Sequence, residues 1–324
     1  MTALEARGKI VQSGAVANEK RALRRYFRQF RGKPVQVAVE ACGFWPAFRE
    51  VVEPEVKRLV LVHPQRVKAI ASAKLKNDRV DSETLAHLLR CELLPESWKA
   101  DRETQARRQA VRLRATLVRQ GTRLKNQVHA VLHQQGLRSP VTDLFGKRGR
   151  LWLQGVKLPQ QAREAVNVCL RLLDGYGEEI QKQNLQLREK AKQDPRAQWL
   201  MTIPGIGEYS AMMLLAEIGE IARFHDKEAL CSYAGLVPRV RESAGKAARG
   251  GITRQGSPWL RWIMVEAAQV ATRCSPAAKR YYERLARRKH KHLARVALAR
   301  KLLIAVYALL HDGECFDEAK FAAV

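Results

Sequence analysis

Apolar positions near the start of the chain follow two different periods. Residues 1 to 14 alternate loosely around Arg7-Gly8, which predicts two short strands joined by a turn. From Asn18 to Arg31 the spacing becomes helical, with Leu23, Tyr26, Phe27 and Phe30 on one face, and Gly32 and Pro34 stop it. Val35 to Val39 then reads as a strand that delivers Glu40 at its C-terminal end, directly before the Ala41-Cys42-Gly43 turn and a helix holding Pro46 to Val52. A strand at Leu59 to Val62 and a helix at Gln65 to Ala73 follow. This alternation predicts an α/β layer, in which sites gather at the carboxyl ends of strands.

Beyond it the chain turns helical. Asn77 to Asp81 opens a helix that continues through Leu85, Leu88 and Leu89. Asp101 to Leu137 predicts a long helix with a buried stripe of Leu113, Leu117, Leu124, Val128 and Leu132, while Arg107, Arg108, Arg112, Arg114, Arg119, Arg123 and Lys125 take much of its remaining surface. A second long segment, Gln160 to Lys192, carries Val166, Leu170, Leu173 and Ile180, with Gly175 and Gly177 placed to bend or break it. With residues 138 to 156 as the connection, the two predict an antiparallel pair, serving as an oligomerisation or RNA-binding surface or as a plain spacer. Pro204, Gly205, Ile206 and Gly207 predict a tight turn between helices. It is either a hairpin whose backbone N–H groups grip phosphate or an ordinary α-hairpin. Further helices are expected around Trp259 to Thr272 and from His292 to Leu310, the last with a basic face of Arg295, Arg300 and Lys301 opposite Leu298, Leu302, Val306 and Leu309. The expected domains are residues 1–98, 99–195 and 196–324.

Charge then narrows the partner. Lys and Arg number 59 against 32 for Asp and Glu, a net charge of +27 and a pI near 10.4, which points to nucleic acid. No apolar run approaches the length of a membrane span and MTALEARGKI has no signal-peptide core, so a cytoplasmic protein, nucleoid-associated when on DNA, is expected. The six cysteines contain no CxxC pair and read as reduced thiols.

Two clusters carry candidate chemistry. Pro238 to Arg261 reads as a basic, glycine-rich loop in which Ser243 stands among Arg239, Arg241, Lys246, Arg249, Arg254 and Arg261. Arginine forks match phosphate oxygens in pairs, and a serine amid fixed cations is able to attack phosphorus. The plainer reading is a solvated loop touching DNA backbone. Asp78 and Asp81, three apart on one helical face, are candidates with Glu40 to hold Mg²⁺ through hard oxygen ligands. The plainer reading there is an N-cap at Asp78 and a helix-dipole contact at Asp81.

Taken in order, VAVEACGFW, NDRVDSETLAHLL, IPGIGEYSAMMLLAEIG, YAGLVPRVRESAGK and GSPWLRW resemble the IS-110 family of bacterial insertion-sequence transposases, with a C-terminal part of the IS-116/IS-110/IS-902 type. The resemblance implies an N-terminal RuvC-like, RNase H-type α/β domain with an Asp-Glu-Asp-Asp set, a coiled-coil middle, and a mostly helical C-terminal transposase domain with a helix-hairpin-helix and a nucleophilic serine. Glu40 matches the family glutamate, Asp78 and Asp81 the paired aspartates, and Ser243 the serine. It further implies Mg²⁺, donor and target DNA, a structured bridge RNA that guides both, a homo-oligomer (dimer or tetramer), and strand exchange through a phosphoserine intermediate. The family's first aspartate stands on an opening strand that has no counterpart before ALEARGKIV, and Asp78 and Asp81 are the only aspartates before residue 100. The expectation is an N-terminal domain lacking that strand, from either an upstream start or an inactive copy that only binds nucleic acid. A metal-dependent junction nuclease is the other alternative.

Overall fold

A computed structural model describes residues 1–70, 77–243 and 246–323, which form two compact units, Met1–Ala100 and Asp101–Val324. The first begins with β1 (Thr2–Leu4) and β2 (Ile10–Ser13), an antiparallel pair in which Thr2 faces Ser13 and Ala3 faces Gln12. Helix α1 (Lys20–Arg28) follows, then β3 (Gln36–Glu40), α2 (Trp45–Val52), β4 (Arg58–Val62) and α3 (Pro64–Ile70). Strands β3 and β4 run parallel from Gln36 opposite Arg58 to Glu40 opposite Val62. Leu59 to Val62 are all buried, the continuous apolar run that a parallel strand covered on both faces requires. The core joins Leu23 and Phe27 of α1 to Phe48, Val51 and Val52 of α2 and Leu59 of β4.

Helix α4 (Asp78–Arg90) is capped by Asn77, whose side-chain oxygen accepts from the Val80 N–H at 2.8 Å. Asp78 is therefore the first helical residue rather than the cap. Residues 71–73, expected to continue α3, lie outside the described residues. Among the described residues β1 pairs only with β2 and β3 only with β4. Both remaining edges border a cavity of about 730 Å³ that is also lined by α1 and α4.

The second unit is dominated by α5 (Arg102–Gln134) and α7 (Gln160–Gln193). At 1.5 Å per residue each is a rod of roughly 50 Å. They pack antiparallel, with Arg114 Nε donating to Asn184 Oδ1 at 2.9 Å, while a Cβ on Gly121 would stand 3.4 Å from Leu173. The buried stripe of α5 is Val111, Ala115, Gly121, Val128 and Leu132, and Leu113 is 49 % exposed. Two residues along a helix is about 200° of rotation, so Leu113 lies almost opposite the stripe that Val111 and Ala115 define. The glycines Gly175 and Gly177 do not interrupt α7; a Cβ on either would meet no atom within 4 Å. The connection contains helix α6 (Lys147–Gly155), where a plain link was expected.

Apolar burial in this unit falls into two separate clusters. Leu144 and Leu153 join Val128, Leu132, Val166 and Cys169 at one end of the helix pair. At the other end Val111, Ala115, Leu187 and Ala191 join the large core of the C-terminal helices. Between them Val118, Gly121, Leu173 and Ile180 line a shallow cavity of about 650 Å³.

The C-terminal helices are α8 (Pro195–Met201), α9 (Glu208–Ile218), α10 (Lys227–Tyr233), α11 (Pro258–Cys274), α12 (Pro276–Ala286), α13 (Lys291–Asp312) and α14 (Glu318–Ala323). Every residue of α9 from Ala211 to Ile218 is buried. The expected basic face of α13 is incomplete, because Lys301 is buried with its Nζ 4.5 Å from the rings of both Tyr281 and Phe321. Burial holds that ammonium below the ordinary lysine value. No described helix is long and apolar enough to cross a membrane.

Candidate nucleic-acid site

Between α10 and α11 the chain forms a two-stranded hairpin, β5 (Pro238–Ser243) and β6 (Lys246–Ile252), where an irregular loop was expected. Ser243 is the last residue of β5 and pairs with Lys246, the first of β6. Ala244 and Gly245 lie outside the described residues. Arg241 pairs with Ala248, and Arg249 with Val240, so the four strand cations Arg239, Arg241, Lys246 and Arg249 are carried on one ribbon with the serine.

The root of the ribbon is tightly held. Thr253 N–H donates to Val237 O at 2.9 Å, Arg254 N–H to Gly235 O at 3.3 Å, and Ser257 N–H to Tyr233 O at 2.9 Å. Gly256 has φ +90°, and a Cβ there would sit 2.0 Å from Tyr233 O, so no other residue fits without moving the backbone. Arg254, exposed, holds a left-handed φ of +56° at the ribbon's exit.

A carboxylate that sequence reasoning missed lies beneath this root. Glu217 of α9 is fully buried, and Ser257 Oγ donates to its Oε2 at 2.8 Å. Arg112 of α5 grips the same group, Nε to Oε1 at 2.7 Å and Nη2 to Oε2 at 3.0 Å. Arg108 donates to the carbonyls of Ala216 and Glu217, both at 2.9 Å. Ser257 also caps α11 by accepting from Leu260 N–H at 3.2 Å. One acid thus ties α5, α9 and the start of α11 together under the serine hairpin. Its only sequence signal is an acid in the otherwise apolar run AMMLLAEIG.

The turn from Ile203 to Gly207 joins α8 to α9. Gly205, at φ +90°, is used for close packing: a Cβ there would be 2.3 Å from Ala267 O of α11. Ile206 is buried and its N–H donates to Ile203 O at 3.1 Å, while Pro204 is half-buried. Gly207 is exposed at the N-terminus of α9, which no side chain caps. Of the four residues, Gly207 alone is exposed at a helix start.

Glu40, Asp78 and Asp81 belong to the first unit and Ser243 to the second. Glu40 is exposed at the end of β3, Asp78 is exposed and Asp81 half-buried in the first turn of α4. Among the described residues no group of three or more His, Cys, Asp or Glu is placed to hold a metal ion. The three carboxylates as they stand do not make a ligand set.

The serine thus stands on a ribbon of cations whose root is fixed to a buried helical platform. Residues 1–136 match a DEDD-type transposase model, and residues 197–283 match the model described as the Transposase IS116/IS110/IS902 family. Both matches fall in one class, the transposases of insertion sequences. Within that class the chain belongs to the IS116/IS110/IS902 family. It is 28 % identical to a probable family 20 transposase of Pseudomonas aeruginosa, over 92 % of this chain and 90 % of the relative. The transposase for insertion sequence element IS1328 of Yersinia enterocolitica is 28 % identical over 88 % of this chain and 86 % of its own. That for IS1111A of Coxiella burnetii is 27 % identical over 86 % and 79 %.

Proposed function

We propose that this protein is a DNA recombinase of an insertion sequence that breaks and rejoins strands through a covalent bond to Ser243. The observation that carries the reading is the position of Ser243 at the end of β5, on a ribbon with four strand cations and a root fixed over Glu217. In the first step the Ser243 oxygen attacks a DNA phosphorus, the bond from phosphorus to the 3′ oxygen breaks, and the serine proton leaves to solvent as the 3′ oxygen takes one up. In the second, a 3′ hydroxyl from the partner strand attacks the phosphoserine and releases the serine. One phosphoester replaces another each time, so no nucleotide cofactor is consumed. Arg239, Arg241, Lys246, Arg249 and Arg254 offset the charge that builds on the phosphate oxygens.

A structured RNA that pairs with donor and target DNA belongs to this reading, with base pairing selecting sequence while the protein grips backbone. So does a homo-oligomer that brings two duplexes together. The DEDD-type family suggests a divalent metal, but Glu40, Asp78 and Asp81 do not gather into a ligand set, so no step is routed through one.

The test is covalent capture on DNA carrying the element's ends. The wild-type protein is expected to form a denaturant-resistant adduct, and Ser243→Ala to form none while still binding DNA within about threefold, since the cations remain. Strand cleavage by Ser243→Ala that disappears in Asp78→Ala would establish the metal-dependent nuclease instead.

A further inference from the structure

Where α5 passes the starts of α9 and α11, below the root of the serine ribbon, arginines lie on aromatic rings. The Arg119 guanidinium sits 4.0 Å from the Trp259 ring, and Trp259 meets Trp262 edge-on with centroids 6.2 Å apart. Nearby, Arg114 sits 4.1 Å from the Tyr209 ring while its Nε donates to Asn184. The supports are rigid. Tyr209 donates its hydroxyl to Val111 O at 3.0 Å, and burial pushes its pKa up to about 12, so it stays a neutral, fixed ring. Arg112, 5.9 Å from Trp259, is itself held by Glu217. Arg119 is exposed, and among the described residues no carboxylate pairs with it, whereas the other cation of this group that faces an acid, Arg112, is bound to a buried one.

A guanidinium laid on an indole has its plane set in advance and keeps its other face and its edge N–H groups for a ligand. Both tryptophans are half-buried, so part of each ring reaches solvent in a chain that is only 6 % aromatic. Unpaired nucleobases stack on aromatic rings and on arginine planes, and their phosphates follow adjacent cations. A duplex keeps its bases stacked on one another and offers such a surface its backbone alone. We propose that Arg119, Trp259 and Trp262, flanked by Arg114 on Tyr209 and by exposed Arg123, form a stacking platform for the unpaired nucleotides of a single-stranded nucleic acid. The proposal is independent of the role given to Ser243.

The experiment compares binding of the full-length protein to short labelled single-stranded RNA, single-stranded DNA and duplex DNA at one salt concentration. Arg119→Lys keeps the charge and loses the plane. It is expected to weaken binding to a single strand at least about fivefold and to leave duplex binding within about twofold. Trp262→Leu is expected to do the same and to remove part of the tryptophan quenching that a bound strand causes. Selective loss on RNA, on DNA or on both supports the platform, and the larger effect identifies the strand it takes. Equal losses on single strand and duplex would reduce the surface to a charged patch, and unchanged binding in Arg119→Lys would leave the stacking with a packing role only. Arg119 is exposed, so its lysine variant carries the test even if Trp262→Leu fails to fold.

Discussion

Glu217 shows what a single side chain does here. Its carboxylate is fully buried and receives two bonds from Arg112 and one from Ser257, and each partner belongs to a different helix or cap. Glu217→Ala leaves Ser257 without its acceptor and Arg112 without its acid. Because Arg112 is 39 % exposed, water recovers part of that loss, and the expected destabilisation is about 2 kcal/mol by urea unfolding. Glu217→Gln, which can still accept from Ser257, is expected to lose less than half as much. Equal losses would mean that the charge on Arg112, not the bond to Ser257, is what Glu217 serves. At this scale the sequence was partly readable. Ser243 and its cations stood out by composition, whereas Glu217 did not, because an acid in an apolar helix declares its importance only through partners far away in the chain. Lys301 misled for the complementary reason: a lysine reads as surface until Tyr281 and Phe321 are seen to enclose its ammonium.

Among the elements, the helices and the four strands of the first unit were read more faithfully than the helix faces and the serine hairpin. The long helix α5 was expected from its period, yet Leu113 was assigned inward. The real contact stripe uses small residues, Ala115 and Gly121, that let α7 come close and that carry little weight in a hydrophobic pattern. Helix α6 escaped notice because KRGRLWLQG opens with three cations around a glycine. The hairpin strands β5 and β6 have no alternating apolar pattern, and their mutual pairing is what defines them. Helix caps are where an element's stability can be tested directly. Asp101 begins α5 by accepting the Thr104 N–H at 2.6 Å, and this bond holds its carboxyl below the ordinary value of 3.8. A carboxyl depressed in the folded state adds stability that is complete above its unfolded value and fades as pH falls through the folded one. Asp101→Ala is therefore expected to cost about 1 kcal/mol at neutral pH, and the difference from wild type is expected to shrink as pH drops below about 4. Denaturant unfolding at both pH values checks it. A difference that stayed constant with pH would remove the ionised cap from the account.

At the level of the whole molecule, the family was legible from five ordered motifs, because glycine turns, caps and cation clusters leave local marks. Strand pairing leaves fewer: among the described residues β1 pairs only with β2 and β3 only with β4, and both strands line one cavity. The second unit holds two apolar clusters at opposite ends of one helix pair, with a shallow cavity between them. Leu153 lies in the cluster away from the serine ribbon and is wholly buried, so Leu153→Ala is expected to cost about 2–4 kcal/mol. Amide exchange should quicken around α6 and the adjoining ends of α5 and α7, while the amides of α9 and α11 keep their protection; uniform quickening would show that the unit unfolds as one. With selective quickening the waist between the clusters acts as a mechanical fuse: heat frays the tip first, and the platform beneath the ribbon outlasts it.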